Sequence, residues 1–519
     1  MKEGLRQCMA WLHTWTGLVA GWVLFFVFVT GTAGYFAFEI DRWMQPELPL
    51  AAAPLDQARA IGQAQAYLQE HHARAEFWNI GVPVERTQPH LSLFVRDPRK
   101  PDGTPGRTHR AAYDAASGQF VASQAVRDTG GGQFLYRTHY LLHYLPEAAG
   151  IWIVGICTML MLVALISGAI THKKIFTDFY TFRPGKGQRS WLDAHNLSSV
   201  MALPFFLMIT YSGLVFFMDT YMPAGVRAAY GGADDARRRL QAELIPANFP
   251  RPAGQPAPLA SLRDIARQAE AMSGIPASGI LVRNPGDAAA TVTIRVHREG
   301  QPALAVRNLR FNGVTGQPLP PGAESAALQT RNTLLALHEG RFAAPALRWL
   351  YFLSGLLGCA MIATGLVLWT AKRKARQDKL RKAGGRGEFG YGLVRCLNIG
   401  TIAGLPVAVA AYFWANRLIP ADLASRRAWE AHALFITWAL LLAYPAIRRS
   451  PRAWVDEFRL AALACGLLPL INALTTQRHL GITLPAGNWV LAGFDLVMLA
   501  LGLLFAGIAL KLGKACHAS

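Results

Sequence analysis

The sequence predicts a mainly α membrane protein of about eight transmembrane helices, the first four a duplicated bundle, with two small α+β modules between them. Three observations predict this class. Hydrophobic residues fill 52% of the 519 positions and charged residues only 16%, against roughly 25% in soluble domains. The apolar residues are bunched into stretches of about twenty, the length that crosses a bilayer. Residues 1–175 and 190–375 then carry the same succession of signals twice. A soluble enzyme, a secreted disulfide scaffold and a disordered chain are excluded.

The apolar stretches are 12–38, 149–171, 197–219, 346–370, 395–415, 429–447, 459–475 and 489–511. The first runs on into Tyr35-Phe36-Ala37-Phe38-Glu39 without a small-residue cleavage site, so it reads as a span rather than a signal peptide. The formal charge of +20 is concentrated in short runs beside the spans. One run is Lys173, Lys174, Arg183, Lys186 and Arg189. A second is Lys372, Arg373, Lys374, Arg376, Lys379, Arg381 and Lys382, and a third is Arg448, Arg449 and Arg452. Basic loops stay in the cytoplasm. With the N-terminus inside, eight spans put every one of these runs on that side and both termini with them. Nucleic acid is not the expected partner, because no folded basic domain presents a groove. The six cysteines (Cys8, Cys157, Cys359, Cys396, Cys465 and Cys516) contain no C-x-x-C pair, which excludes a thiolate metal site and a disulfide framework.

The expected division is a first span to 39, an outer module over 40–148, two spans and a basic loop over 149–219, and a second outer module over 220–345. A fourth span and basic loop fill 346–394, and a four-helix membrane region fills 395–519. In the first module Leu55–Glu70 has helical periodicity and His90–Arg96 alternates like a strand. In the second, Leu259–Met272 and Thr291–His297 do the same. The turn Tyr113 to Gln119 matches Phe311 to Gln317, each with a glycine at its penultimate position.

The repeat continues into the membrane. His13 precedes Thr30-Gly31, and His195 precedes Ser212-Gly213 at the same spacing. Arg137 and Leu142-His143 lead into a span ending Ser167-Gly168; Arg331 and Leu337-His338 lead into one ending Thr364-Gly365. Ionisable groups at membrane depth are costly and mark functional sites. His13 and His195 therefore offer two imidazoles at the cytoplasmic level, and His143 and His338 two at the outer level. Neutral imidazole ligates haem iron, a bundle core is a natural cofactor site, and two axial ligands suit electron transfer. His172, beside Lys173, is an alternative inner ligand. His139, one turn before His143, is an alternative outer one. Arg137 and Arg331 outside, and Arg6, Lys173 and Arg189 inside, are candidates to hold propionates, although each is equally explained as an interfacial residue.

The bland reading of a lone boundary histidine is interfacial. His71, His72, His90, His109 and His297 are expected to be solvated surface residues. His432, His479 and His517 lie outside the repeat. Asp495, inside the last span, is either a proton or ion site or a side chain reaching the interface. The stretch Gly384-Gly385-Arg386-Gly387 follows a basic tail rather than a strand, so it is not a phosphate loop. No flavin or nicotinamide domain is visible, so any electron donor comes from outside the chain.

Leu12-His13-Thr14-Trp15-Thr16-Gly17 with Thr30-Gly31, the run from Thr171-His172-Lys173-Lys174 to Asp193-Ala194-His195-Asn196, and Ile209-Thr210-Tyr211-Ser212-Gly213-Leu214 resemble the PepSY-associated transmembrane family. The resemblance covers about residues 1–375 and is most specific over 171–214. It implies an iron-regulated protein of the bacterial inner membrane with two PepSY-like modules in the periplasm. In the siderophore reductase branch it also implies two haems of the b type held by histidine, reducing a ferric siderophore on the periplasmic side. Carried onto this sequence, the ligands are His13, His143, His195 and His338, with His172 and His139 as substitutes. Some relatives continue into a cytoplasmic flavoprotein domain. This chain has four further spans instead, which leaves a quinol or a separate flavoprotein as donor.

The leading expectation is an oxidoreductase: a haem-containing membrane reductase passing electrons to a periplasmic ferric siderophore. Two alternatives remain open: a haem electron carrier for another periplasmic acceptor, and a non-redox transporter or membrane-anchored binding or inhibitory module.

Overall fold

The computed structural model describes residues 4–517 apart from 49–55, 84–90, 101, 103, 105, 115–118, 123–125, 173–180, 233–235, 237–238, 241–251, 297–306, 321–325 and 385–386. His90, His297, Lys173, Lys174 and most of the Tyr113 to Gln119 turn lie outside the described residues. The chain divides into two compact units. One comprises Met1–Pro46, Asp128–Phe217 and Leu347–Ser519; the other comprises Glu47–Arg127 and Met218–Ala346.

The first unit is a helical membrane bundle. Among the described residues seven helices are long and apolar enough to cross a bilayer, or eight when one bent pair counts as a span. The bent pair is the third span, where the sequence shows one apolar stretch over 197–219. Helices Gln188–Met201 and Leu203–Phe216 meet there at 68°. Pro204 is the cause, since proline offers no N–H and its ring clashes with the carbonyl four residues earlier. The fifth span breaks at Ala403, two residues before Leu405-Pro406, and the seventh at Leu467, ahead of Pro469. The fourth helix runs Pro345–Lys382, so much of its basic tail is helix rather than loop. The first ends at Gly34, and a short helix, Ala37–Met44, follows.

Lipid gives helices no hydrophobic reason to associate, so close packing at small residues holds them together. A Cβ on Gly355 would lie 2.3 Å from Thr32 Oγ1, and one on Gly358 would lie 2.2 Å from Phe28 Cε1. Only glycine lets the first and fourth spans approach this closely. Next to this contact Arg348 of the fourth span pairs with Glu39 of the short helix at 2.5 Å, both buried.

The last four spans grip the first part of the chain through buried polar groups. Glu430 and Arg426 are both fully buried and ion-paired. Glu430 also accepts from Thr129 Oγ1 at 2.6 Å, Gly130 N at 3.1 Å and Asn416 Nδ2 at 2.8 Å. The Tyr412 hydroxyl donates to the Gly131 carbonyl at 2.8 Å. Asp495 does not reach an interface. It is fully buried and accepts from Trp43 Nε1 at 2.9 Å and Asn472 Nδ2 at 3.0 Å. Both its oxygens are therefore satisfied by protein donors, which makes it part of a structural clasp.

The second unit is built on one antiparallel sheet of seven strands. These are β1 (Phe77–Gly81), β2 (Ser92–Arg96), β3 (Thr108–Asp114), β4 (Gln119–Ala122), β5 (Ala277–Arg283), β6 (Thr291–Val296) and β7 (Arg307–Asn312). Their order is β4-β3-β2-β1-β5-β6-β7. The two outer segments thus do not fold as separate modules. Each is a meander, and the meanders join where β1 pairs with β5 in the register Phe77↔Arg283 to Gly81↔Gly279. Joining removes two open edges, whose unpaired backbone groups would otherwise invite pairing with another chain. Helix Gln57–His71 is capped by Asp56, whose side chain accepts from Arg59 N. Helix Leu262–Ser273 is capped by Ser261, whose side chain accepts from Asp264 N. Together they cover an apolar core that includes Leu68, Trp78, Ile80, Ile280 and Phe311. Gln65 ties the halves, donating to Ala260 O at 3.0 Å and accepting from Leu262 N at 2.8 Å.

Candidate functional site

The first span places His13 about two turns inside its N-terminal end, and the bent third span places His195 in the helix before its break. Their rings come together, with centroids 6.0 Å apart at 60°. The two are held alike. His13 Nδ1 lies 2.8 Å from the Ala164 carbonyl of the second span, and His195 Nδ1 lies 2.9 Å from the Met361 carbonyl of the fourth. A carbonyl only accepts, so each Nδ1 carries the hydrogen and each Nε2 keeps its lone pair. Each ring also rests on a glycine one turn further along the partner helix. A Cβ on Gly168 would lie 3.0 Å from His13 Cε1, and one on Gly365 would lie 3.1 Å from His195 Cε1. These are the paired Ser-Gly and Thr-Gly positions of the sequence repeat.

Both histidines line a cavity of about 790 Å³ between the first four spans, within the roughly 300–1,000 Å³ of ligand sites. Its walls are mostly apolar, with Gly17, Gly21, Leu366 and Trp369 among them. Among the described residues its lining includes five basic side chains, Arg6, Arg183, Arg189, Lys372 and Arg373, and one carboxylate, Asp193. Arg183 binds Asp193 through two nitrogens, at 2.9 and 3.1 Å, and Arg189 approaches it at 3.4 Å. Arg6 donates to Thr171 O at 2.7 Å, and Arg373 lies over the Trp369 ring at 3.8 Å. The positive excess suits a dianionic ligand end.

His172, the alternative inner ligand, lines the same cavity. Its Nε2 accepts from Asn196 Nδ2 at 2.9 Å, while its buried Nδ1 has no partner among the described residues. Trp369 Nε1 is likewise buried without one. Unmet polar atoms in a roomy cavity point to a ligand or water.

At the other end of the bundle the structure places His143 and His139 in different surroundings. His143 follows helix Gly131–Leu141 in a left-handed turn and is exposed, its ring stacked on Phe435 at 5.5 Å and 4°. Desolvation by these rings, then repulsion from His432, Arg427 and Arg137, holds its pKa below the ordinary value. His139 is the residue turned into the bundle. Its Nδ1 lies 2.7 Å from the Val27 carbonyl, and a Cβ on Gly31 would lie 2.5 Å from that nitrogen. It thus repeats the arrangement of His13 on Gly168 and His195 on Gly365. His338 occupies the last turn of helix Ala326–Glu339, half-buried, in the second unit. The structure therefore gathers His13, His195 and His172, sets His139 and His143 at the opposite end of the first helix pair, and leaves His338 with the sheet-bearing unit. Arg137 is exposed and Arg331 belongs to the second unit.

A haem is the group that the family resemblance implies, and the spacing of the two imidazoles is compatible with one. Two metal–imidazole bonds of about 2 Å, with the half-widths of the rings added, separate ring centres by about 6 Å. The observed 6.0 Å agrees. The mostly apolar lining with its basic side chains suits a large apolar group carrying carboxylates.

The comparisons bear on the same region. The chain matches the family model described as the PepSY-associated TM region over residues 10–372. It is also 27% identical over 372 residues to an uncharacterized protein of Pseudomonas aeruginosa, covering 68% of this chain and 88% of that relative. The family match spans the four helices that build the cavity and stops before the last four spans. On that match the chain is a membrane protein and belongs to the PepSY-associated transmembrane family.

Proposed function

We propose that this protein is a haem-binding membrane reductase that carries electrons across the bacterial inner membrane to a ferric siderophore in the periplasm. The observation that carries the proposal is the pair His13 and His195. They sit 6.0 Å apart with both Nδ1 atoms committed to backbone carbonyls in a cavity of about 790 Å³. Bound haem would supply a reversible one-electron Fe(III)/Fe(II) couple without an open coordination position. His13 and His195 would hold the iron through Nε2, the carbonyls of Ala164 and Met361 fix the tautomer, and Arg6, Lys372 and Arg373 meet the carboxylates. His139 is the favoured ligand for a second haem. Gly31, where His139 rests, lies eighteen residues beyond His13 on the same helix, a rise of about 27 Å.

The basic loops fix the orientation of the proposal, with both termini and the His13 end in the cytoplasm and the sheet in the periplasm. The donor is an external flavoprotein or a quinol. One electron converts the chelated Fe3+ to Fe2+, which hard oxygen ligands hold less well, and the iron leaves.

Protein purified from haem-replete cells is expected to show a Soret band that shifts on dithionite reduction, with a sharp α band. A colourless preparation would overturn the haem reading. Reoxidation of the reduced protein by a ferric hydroxamate, rather than by cupric ion or a disulfide, separates the siderophore acceptor from a general electron carrier. For the second haem, His139→Ala is expected to remove one equivalent, while His143→Ala leaves the haem-to-protein ratio unchanged. The reverse result would return the ligand to His143.

A further inference from the structure

The sheet-bearing unit brings together three side chains, two of which, His72 and His109, the sequence leaves as surface residues. His72 caps helix Gln57–His71, Asp97 follows β2, and His109 lies in β3. The β2–β3 pairing sets Val95 opposite His109, and beyond it Asp97 N donates to Arg107 O at 2.8 Å. His109 Nε2 lies 2.9 Å from Asp97 Oδ2, and the His72 and His109 rings lie 4.8 Å apart. One ligand atom from each of the three falls within 4.8 Å of the others.

The backbone under each ligand is fixed. His72 N donates to Leu68 O at 2.9 Å, and the His72 carbonyl accepts from the buried Trp78 Nε1 at 2.9 Å. Ligands held by such bonds keep their geometry without the metal. The neighbouring His71 is tied elsewhere, its Nδ1 to Tyr67 O at 3.0 Å and its ring stacked on Tyr67. All three cluster residues are half-buried, so one side remains open to solvent.

Two imidazole nitrogens and one carboxylate oxygen are the donor set of zinc and of ferrous, cobaltous, nickel or cupric ions. Magnesium and calcium prefer oxygen alone. Three protein ligands with an open side leave positions for water or for a group brought by a partner. We propose that His72, Asp97 and His109 form a binding site for a divalent first-row transition metal ion, distinct from the histidines of the bundle. The site shares no residue with the haem cavity, so the two proposals stand or fall separately.

The test uses the full-length protein in detergent, stripped with a chelator and titrated with Co2+ and then with Zn2+ against a chromophoric competitor. Wild-type protein is expected to bind one equivalent more than His72→Ala or Asp97→Asn, or to bind it at least about tenfold more tightly. Cobalt is expected to show visible ligand-field bands that zinc abolishes. Acidification should weaken binding, because protons compete for the imidazoles. His71→Ala is expected to bind as the wild type does. The variants' unfolding midpoints without metal identify any that fail to fold, and Asp97→Asn carries the test if His72→Ala does. Equal stoichiometry and affinity in wild type and both variants, or loss of the metal in His71→Ala alone, would overturn the site.

Discussion

His195→Ala is expected to lower the haem-to-protein ratio of the purified protein by one equivalent, and His13→Ala is expected to do the same. Each imidazole is held twice, by a carbonyl on Nδ1 and by a glycine beneath the ring. Among the described residues His172 is the other histidine that lines this cavity. Losses of about 10–100-fold in metal affinity follow even from removing the groups that orient a ligand. Removing the ligand itself should cost at least that, and any haem retained should change from a low-spin to a high-spin spectrum. Because the two rings serve one site, the double variant should be no worse than either single variant. An unchanged ratio and spectrum in both single variants would refute the assignment. If His172→Ala alone removed the haem, the ligand would be His172, whose buried Nδ1 lacks a partner among the described residues.

Glu430→Ala is expected to be the most destabilising single change in the bundle, by about 3–5 kcal/mol. Arg426 and Glu430 are both fully buried, and removing the carboxylate leaves the guanidinium without its counter-charge. It also strips the acceptor from Thr129, Gly130 and Asn416. Gly130 begins the helix that carries His139, so the damage should extend to that end of the bundle while sparing the His13–His195 cavity. Replacing both members, Arg426→Met with Glu430→Leu, should recover much of the loss, because the desolvation of two charges is removed together. Denaturant or thermal unfolding of the detergent-solubilised variants checks this. A loss for Glu430→Ala near that of an exposed ion pair, under about 1 kcal/mol, would show that the clasp does not stabilise the fold.

That clasp gives the last four spans a role that their sequence does not announce. They lie outside the family match and carry none of the repeated histidine–glycine signature. What they contribute are buried donors and acceptors facing Trp43, Thr129, Gly130 and Gly131. A lone Arg417 or Glu430 in an apolar stretch reads as a possible functional charge. Arg426 lies one turn before Glu430 and is legible locally. Thr129 and Gly130 lie 301 and 300 positions from Glu430, Trp43 lies 374 from Arg417, and no local pattern reveals those partners.

Several features were legible because they depend on local chemistry. Apolar length set the number of spans, and duplicated spacing singled out His13, His195, Gly168 and Gly365. Period-two and period-3.6 patterns found helices 57–71 and 262–273 and strands β2 and β6. Other features are not legible locally. The third span is a single apolar stretch in the sequence, and Pro204 bends it. The sequence offers His143 and His139 alike at the outer level, and a left-handed residue at Leu142 sets which of the two rings turns into the bundle.

By itself the sequence determined that the chain carries membrane-spanning helices and that one histidine and glycine spacing recurs within its first 375 residues. These follow from hydrophobicity and spacing, which are properties of neighbouring residues. Only the tertiary structure decided that two outer segments share one sheet, that His13 and His195 face a common cavity, and that His72, Asp97 and His109 meet. Each of these rests on a backbone pairing or helix crossing between segments far apart in the chain. Such contacts are selected by close packing and by the cost of leaving polar groups unpaired, and neither is written in any one stretch of residues.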